Sequence, residues 1–210
     1  MKKSLYVLMT FFFTAASCLA QNSMRDLFNG RAKLTFLGLD FTQAAFIGTI
    51  GFNNPAAIQE GFLAQWNALL VNEPEKYSLQ HVFRLTENQY ATKVEHHLEL
   101  NKKVVVLEKI SNEYSYSINE EQVKNSVSQY TIKDKEGIGI SFVVESFNKT
   151  FEKAVIWVTF IDLSSNTVLL TERMEGKPMG FGFRNYWAGA VYSVITKMKE
   201  KQYHKWSNLY

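Results

Sequence analysis

An internal disulfide is closed to this chain, because its 210 residues contain a single cysteine, Cys18. A secreted domain of this size without disulfides must rest on its hydrophobic core. That points to a bacterial envelope rather than a eukaryotic extracellular space. Only three prolines occur, and neither a low-complexity linker nor an internal repeat divides the chain. No apolar run approaches the roughly 20 residues that a helix needs to cross a bilayer of about 30 Å. No Gly-x-Ser-x-Gly elbow, Gly-rich Lys-Ser/Thr phosphate loop or His-x-x-x-His pair is present, so the familiar signatures of hydrolases, nucleotide sites and zinc sites are missing. No cofactor and no metal are expected.

What is present begins with Met1-Lys2-Lys3-Ser4, an apolar stretch over Leu5 to Phe13, and small residues up to Ala20-Gln21. A cationic start, a short apolar segment and a small-residue end make a secretory signal peptide. Two processing routes are open. Cleavage after Ala20 leaves a freely secreted or periplasmic domain of residues 21–210. Alternatively, Ala15-Ala16-Ser17-Cys18 approximates a lipobox, and Cys18 would carry lipid as the first residue of an outer-membrane lipoprotein. Cleavage after Ala20 removes Lys2 and Lys3 from the 23 basic residues and leaves 21 against 20 acidic ones. That balance argues against nucleic acid as a partner. The remaining length suits a single domain with a sizeable core.

Lys33 to Phe41 reads as a strand with apolar residues on both faces, and so covered on both sides. Asn54 and Pro55 announce a helix, the first as cap and the second in the first turn. Ile58, Phe62, Trp66 and Leu69 then form one face of it. A second helix over Leu79 to Phe83 is weaker. Tyr90 to Leu98 reads as a strand and Val104 to Leu107 as a short apolar run. Ser117 with Glu120 forms a capping box for a helix from Ile118 to about Ser128. Ile138 to Ser146, Lys153 to Leu163 and Thr167 to Glu175 follow as three strands joined by turn residues, which makes neighbours antiparallel. A closing helix from Arg184 to about Lys199 carries Trp187, Val191, Val194 and Met198 on one stripe. The expected fold is α/β (α+β), a mixed, largely antiparallel sheet with packed helices in the order β-α-β-α-β-β-β-α.

Lys33-Leu34-Thr35-Phe36-Leu37-Gly38-Leu39-Asp40-Phe41, Asn72-Glu73-Pro74-Glu75-Lys76-Tyr77 and Gly180-Phe181-Gly182-Phe183-Arg184-Asn185-Tyr186-Trp187 resemble segments of secreted proteins of Bacteroides-like bacteria. That group carries no activity to transfer. In element order the chain is also similar to periplasmic α/β domains of the TolB N-terminal and curli-secretion lipoprotein kind. Likeness of fold alone does not carry function.

Gly180, Gly182, Arg184 and Asn185 form the most unusual segment. Two glycines before a helix let backbone N–H groups face an anion, and Arg184 suits a phosphate or carboxylate. The competing reading is a tight loop whose Phe181 and Phe183 plug the core while Arg184 makes an ion pair. Asp40 stands at the carboxyl end of the first strand, where open α/β sheets tend to hold ligands. His96 and His97 are adjacent, and in a strand they would point to opposite faces and share no metal. Trp66, Trp157 and Trp187 belong to the core. Trp206 and Tyr210 serve either docking of the tail or a glycan or protein contact.

Three functional readings follow. The first is a non-enzymatic accessory or binding domain of the cell envelope, contacting an envelope protein or glycan. The second is an exported hydrolase or small-ligand enzyme with a site near Asp40 and Arg184. The third is a lipid-anchored assembly factor, which requires modification of Cys18.

Overall fold

The computed structural model describes residues 23–133 and 135–210. The expected signal segment, with Cys18 and the Ala20–Gln21 junction, lies outside them.

Seven strands form one curled sheet. They are β1 (Leu34–Asp40), β2 (Ala45–Ile47), β3 (Tyr90–Thr92), β4 (Ile110–Ser111), β5 (Ile138–Asn148), β6 (Lys153–Asp162) and β7 (Thr167–Gly176). The long β5 is the spine. Along one edge it pairs with β6, and β7 pairs with the far side of β6. Along its other edge it pairs first with β1 and then with β2, which follows where β1 ends. Outside these, β3 pairs with β1 and β4 with β2.

The expectation of a largely antiparallel sheet is corrected here. The pairings β1–β3, β1–β5, β2–β4 and β2–β5 are all parallel. Only β6 opposes its neighbours, so six of the seven strands run in one direction. The physical reason is that β1 and β5, separated by the whole helical middle of the chain, lie side by side in parallel, and the short β2, β3 and β4 join them through connections that allow parallel return. The expected order β-α-β-α-β-β-β-α is also replaced, because two short strands and several helical turns lie in the middle of the chain.

Among the described residues, seven helices pack on the sheet. The first, α1 (Met24–Phe28), is capped by Ser23 and Asp26. The second, α2, spans residues 55–72, opening at Pro55–Ala57 and passing through a π-helical turn at Ile58–Phe62 into Leu63–Asn72. Asn54 caps it, its Oδ1 accepting from the Ala57 N–H at 3.1 Å. There follow α3 (Leu79–Phe83), α4 (Glu95–Asn101), α5 (Val106–Lys109) and α6 (Glu120–Ser128). The cap of α6 is Asn119 with Gln122, two residues beyond the expected Ser117 box. The last, α7, covers residues 183–209 through a π-helical turn at Met198–Gln202. It is about 40 Å long at 1.5 Å per residue, and it buries Trp206, which is 0% exposed.

The side chains of Leu34, Phe36, Leu39, Phe142, Val144 and Phe160 face a large core shared with α2, α3 and α7. The opposite face is thinner. There Leu37, Ile161 and Leu163 meet Val127, Tyr130 and Ile132, while Val143 and Trp157 meet Ile118 and Val123. Apolar residues on both faces of β1 and β5 follow from this two-sided cover.

Candidate functional site

The strand β1 bends at Gly38, where its register with β5 shifts. Its φ of 101° is left-handed, and a Cβ there would run into the Asn67 side chain. Only glycine fits such a position without strain. Beyond the bend, β1 has no strand neighbour on its outer side, since β3 pairs only with Leu34, Thr35 and Phe36. Two buried asparagines take the place of that strand. Asn67 of α2 accepts from the Leu39 N–H at 2.7 Å and donates to the Leu39 carbonyl at 3.2 Å. Asn101 of α4 accepts from the Phe41 N–H at 2.9 Å and donates to the same carbonyl at 2.8 Å. A buried strand edge left unpaired would be costly, and the side-chain amides satisfy it.

This arrangement sets α4 across the end of β1 and aims His97 beneath it. Its Nε2 lies 2.7 Å from Ser141 Oγ, and its Nδ1 has no hydrogen-bond partner. Burial pushes the imidazole down to about 4, against a smaller upward pull from Asp40. Asp40 closes the cluster: its Oδ2 accepts from the Tyr130 phenol at 2.5 Å and its Oδ1 from the Thr42 N–H at 2.8 Å. The Tyr130 oxygen is also 3.4 Å from Ser141 Oγ. Burial first, and then the Asp40 charge, hold the phenol well above its ordinary range. Asp40, His97 and Ser141 are each 0% exposed.

The adjacent His96 is also on α4. The strand that would have sent the two imidazoles to opposite faces is a helix, and their ring centroids are 5.5 Å apart. The reading of Tyr90 to Leu98 as one strand is thus corrected, since only Tyr90–Thr92 is extended. His96 packs edge-on against Tyr130 at 5.2 Å and is lowered from its usual range, chiefly by burial. Its Nε2 is buried without a partner. It stands between the sealed cluster and a cavity of about 500 Å³. Leu37, Ile132 and Leu163 form the apolar wall of that cavity. Thr35, Lys93, Glu95, Glu99, Thr131 and Lys133 complete its lining. No group of three or more metal-ligating side chains occurs among the described residues.

The other residues singled out in the sequence lie elsewhere. Gly180, Arg184 and Asn185 together line a separate cavity of about 440 Å³, with Glu73, Lys76 and Tyr192. Gly182 precedes α7 with a φ of 80° and does not line it. Arg184 Nε donates to Asn185 Oδ1 at 3.2 Å, and its carbonyl accepts from Trp66 Nε1 at 2.9 Å. The helix that holds Arg184 packs on the large core, whereas Asp40 bonds on the thinner face, so the structure does not bring these two together. Phe183 joins Phe52, Phe62 and Trp66, while Phe181 is 96% exposed.

Sequence reading missed Tyr130, Ser141, Asn67 and Asn101, and it weighed His97 only as a metal ligand. The one signal available was polarity inside otherwise apolar segments, as in Ser141 within Ile138–Val144. Glu145 carries the same signal: it is 0% exposed and accepts from Arg173 at 2.7 and 3.0 Å and from Trp157 Nε1 at 2.9 Å. That pairing is complete and offers nothing to a ligand.

No family model, no curated protein and no solved structure matches the chain. The functional reading therefore rests on geometry. No helix among the described residues is long and apolar enough to cross a membrane.

Proposed function

We propose that this chain is an exported domain of a bacterial envelope that binds a small amphipathic molecule in the cavity beside α4 and does not turn it over. The observation that carries the reading is the cavity itself. Its volume of about 500 Å³ falls within the usual range for ligand sites, roughly 300–1,000 Å³. Leu37, Ile132 and Leu163 give it an apolar lining, and Lys93, Glu95, His96 and Glu99 give it polar and charged groups.

Binding is favoured over catalysis by the neighbouring cluster. A serine nucleophile needs an exposed oxygen, a base that accepts its proton, and a group orienting that base. Here Ser141 and His97 are sealed from solvent. The carboxylate of this cluster, Asp40, is committed to Tyr130 and Thr42, and His97 Nδ1 is unpartnered. The cluster holds α4 against β1 and so fixes the cavity wall. Export is supported by Lys2, Lys3 and the apolar segment ending at Ala20. An intact mass starting at Gln21 would mark a soluble envelope protein, and a lipid adduct on Cys18 an anchored one.

The test uses octanoate and octanol as probes, because a ligand that binds only the folded state raises its stability by mass action. At about one hundred times the dissociation constant the gain is about 2.7 kcal/mol. One probe or both should raise the unfolding midpoint of the native chain and leave Thr131→Trp, which puts a bulky ring in the cavity lining, unmoved. No stabilisation by either probe, or equal stabilisation of Thr131→Trp, contradicts the proposal.

A further inference from the structure

Four strands that run in the same direction, β2, β4, β5 and β7, deliver their carboxyl ends to one end of the sheet. The loop leaving each of them carries a large apolar side chain exposed to solvent. These are Ile50 after β2, Tyr114 after β4, Phe151 after β5 and Phe181 after β7, exposed to 92%, 51%, 57% and 96%. With Met179 they make five of the ten exposed large hydrophobic side chains among the described residues. Isolated exposed apolar residues are ordinary, whereas a concentration at one end marks an interaction surface.

The loops are in mutual contact. Tyr186 receives a hydrogen bond from Lys149 Nζ at 3.0 Å and donates to Glu152 at 3.0 Å, which ties the start of α7 to the β5–β6 hairpin. The Tyr114 and Phe151 rings are 5.6 Å apart. Phe52, two residues from Ile50, packs on Phe183 at 5.9 Å. Lys177 and Arg184 flank the Phe181 loop without a carboxylate partner among the described residues.

We propose that this end of the molecule docks on a phospholipid surface, with Ile50, Phe151 and Phe181 entering the headgroup layer and Lys177 and Arg184 meeting lipid phosphates. Ile50, Phe151 and Phe181 project from three separate loops, Phe181 beside the cavity it lines with Met179 and Arg184. A soft interface can surround each of them, and unpaired cations beside them complement anionic headgroups. The inference stands on the loops alone and is independent of the cavity beside α4.

The test uses the full chain with Cys18→Ser, carrying a single cysteine at position 50, 181 or 204 labelled with an environment-sensitive dye. His204 is near the other end of α7 and serves as the control. Vesicles of phosphatidylcholine with a minority of phosphatidylglycerol are then added. Labels at 50 and 181 should brighten, shift to the blue and become protected from iodide, while the label at 204 does not. Exchanging Ile50, Phe151 and Phe181 together for serine should weaken vesicle binding at least tenfold, and folding is spared because all three are exposed. Because the dyes report locally, attachment through the amino-terminal segment does not mimic this pattern. Labels at 50 and 181 that stay open to iodide on vesicles overturn the proposal. So does protection that appears only when a protein partner is added.

Discussion

The phenol of Tyr130 donates to Asp40 Oδ2 at 2.5 Å, and the two groups join the segment after α6 to the end of β1 inside the protein. Removing the donor leaves a buried carboxylate oxygen without its partner. Tyr130→Phe should lower stability by about 1–3 kcal/mol, the cost of an unsatisfied buried acceptor or somewhat more for a charged one. Chemical denaturation measures it directly. Combining Tyr130→Phe with Asp40→Asn should recover part of the loss, because the uncompensated charge is then gone.

His97 makes stability depend on pH. The folded protein holds its imidazole neutral down to about 4, whereas in the unfolded chain it titrates near the ordinary 6.5. Between these values the unfolded chain binds more protons, so stability is full above about pH 6.5 and falls as the pH drops toward 4. The whole window is worth on the order of 3 kcal/mol. His96, lowered in the same direction, adds to the slope. Denaturation midpoints across this range should show a loss that His97→Gln flattens. An unchanged slope in that variant would place the effect elsewhere.

Asn101 satisfies two backbone groups that no strand reaches. Asn101→Leu keeps its volume close to native but leaves the Phe41 N–H and one bond to the Leu39 carbonyl unmade. The expected loss is about 2–4 kcal/mol, from roughly 1–3 kcal/mol for each buried unsatisfied group. Amide exchange at Phe41 should also accelerate more than exchange on β6, whose ladder is untouched. Uniform acceleration would mean that the whole fold, rather than this edge, had been loosened.

The parts of the fold legible in the sequence are those governed by local chemistry. The strands β5, β6 and β7, the Asn54–Pro55 helix start and the stripe of α7 all follow from periodicity and turn residues. Sheet direction is not local. It is decided by the meeting of β1 and β5, far apart in the chain, and by β2, β3 and β4, whose two or three residues each carry no readable alternation. The segment Glu95–Asn101 mixes polar and apolar residues in a way that fits a strand. It is a helix because His97 and Asn101 find partners on β5 and β1, contacts that only the folded chain brings together. Asp40 stood out as a carboxylate closing an apolar strand, and the structure gives it a buried hydrogen-bonded role. Its partner Tyr130 is 90 positions away, and nothing in either residue's neighbourhood announces the other.

The cavity beside α4, with His96 in its lining, is proposed as the ligand site. The most direct measurement is a nuclear magnetic resonance titration of the native chain with octanoate, following backbone amides and the His96 imidazole nitrogens. Saturable shifts should gather at Leu37, His96, Ile132 and Leu163, and Thr131→Trp should abolish them. Shifts that are absent, that fail to saturate, or that gather around Arg184 and Tyr192 instead would contradict it.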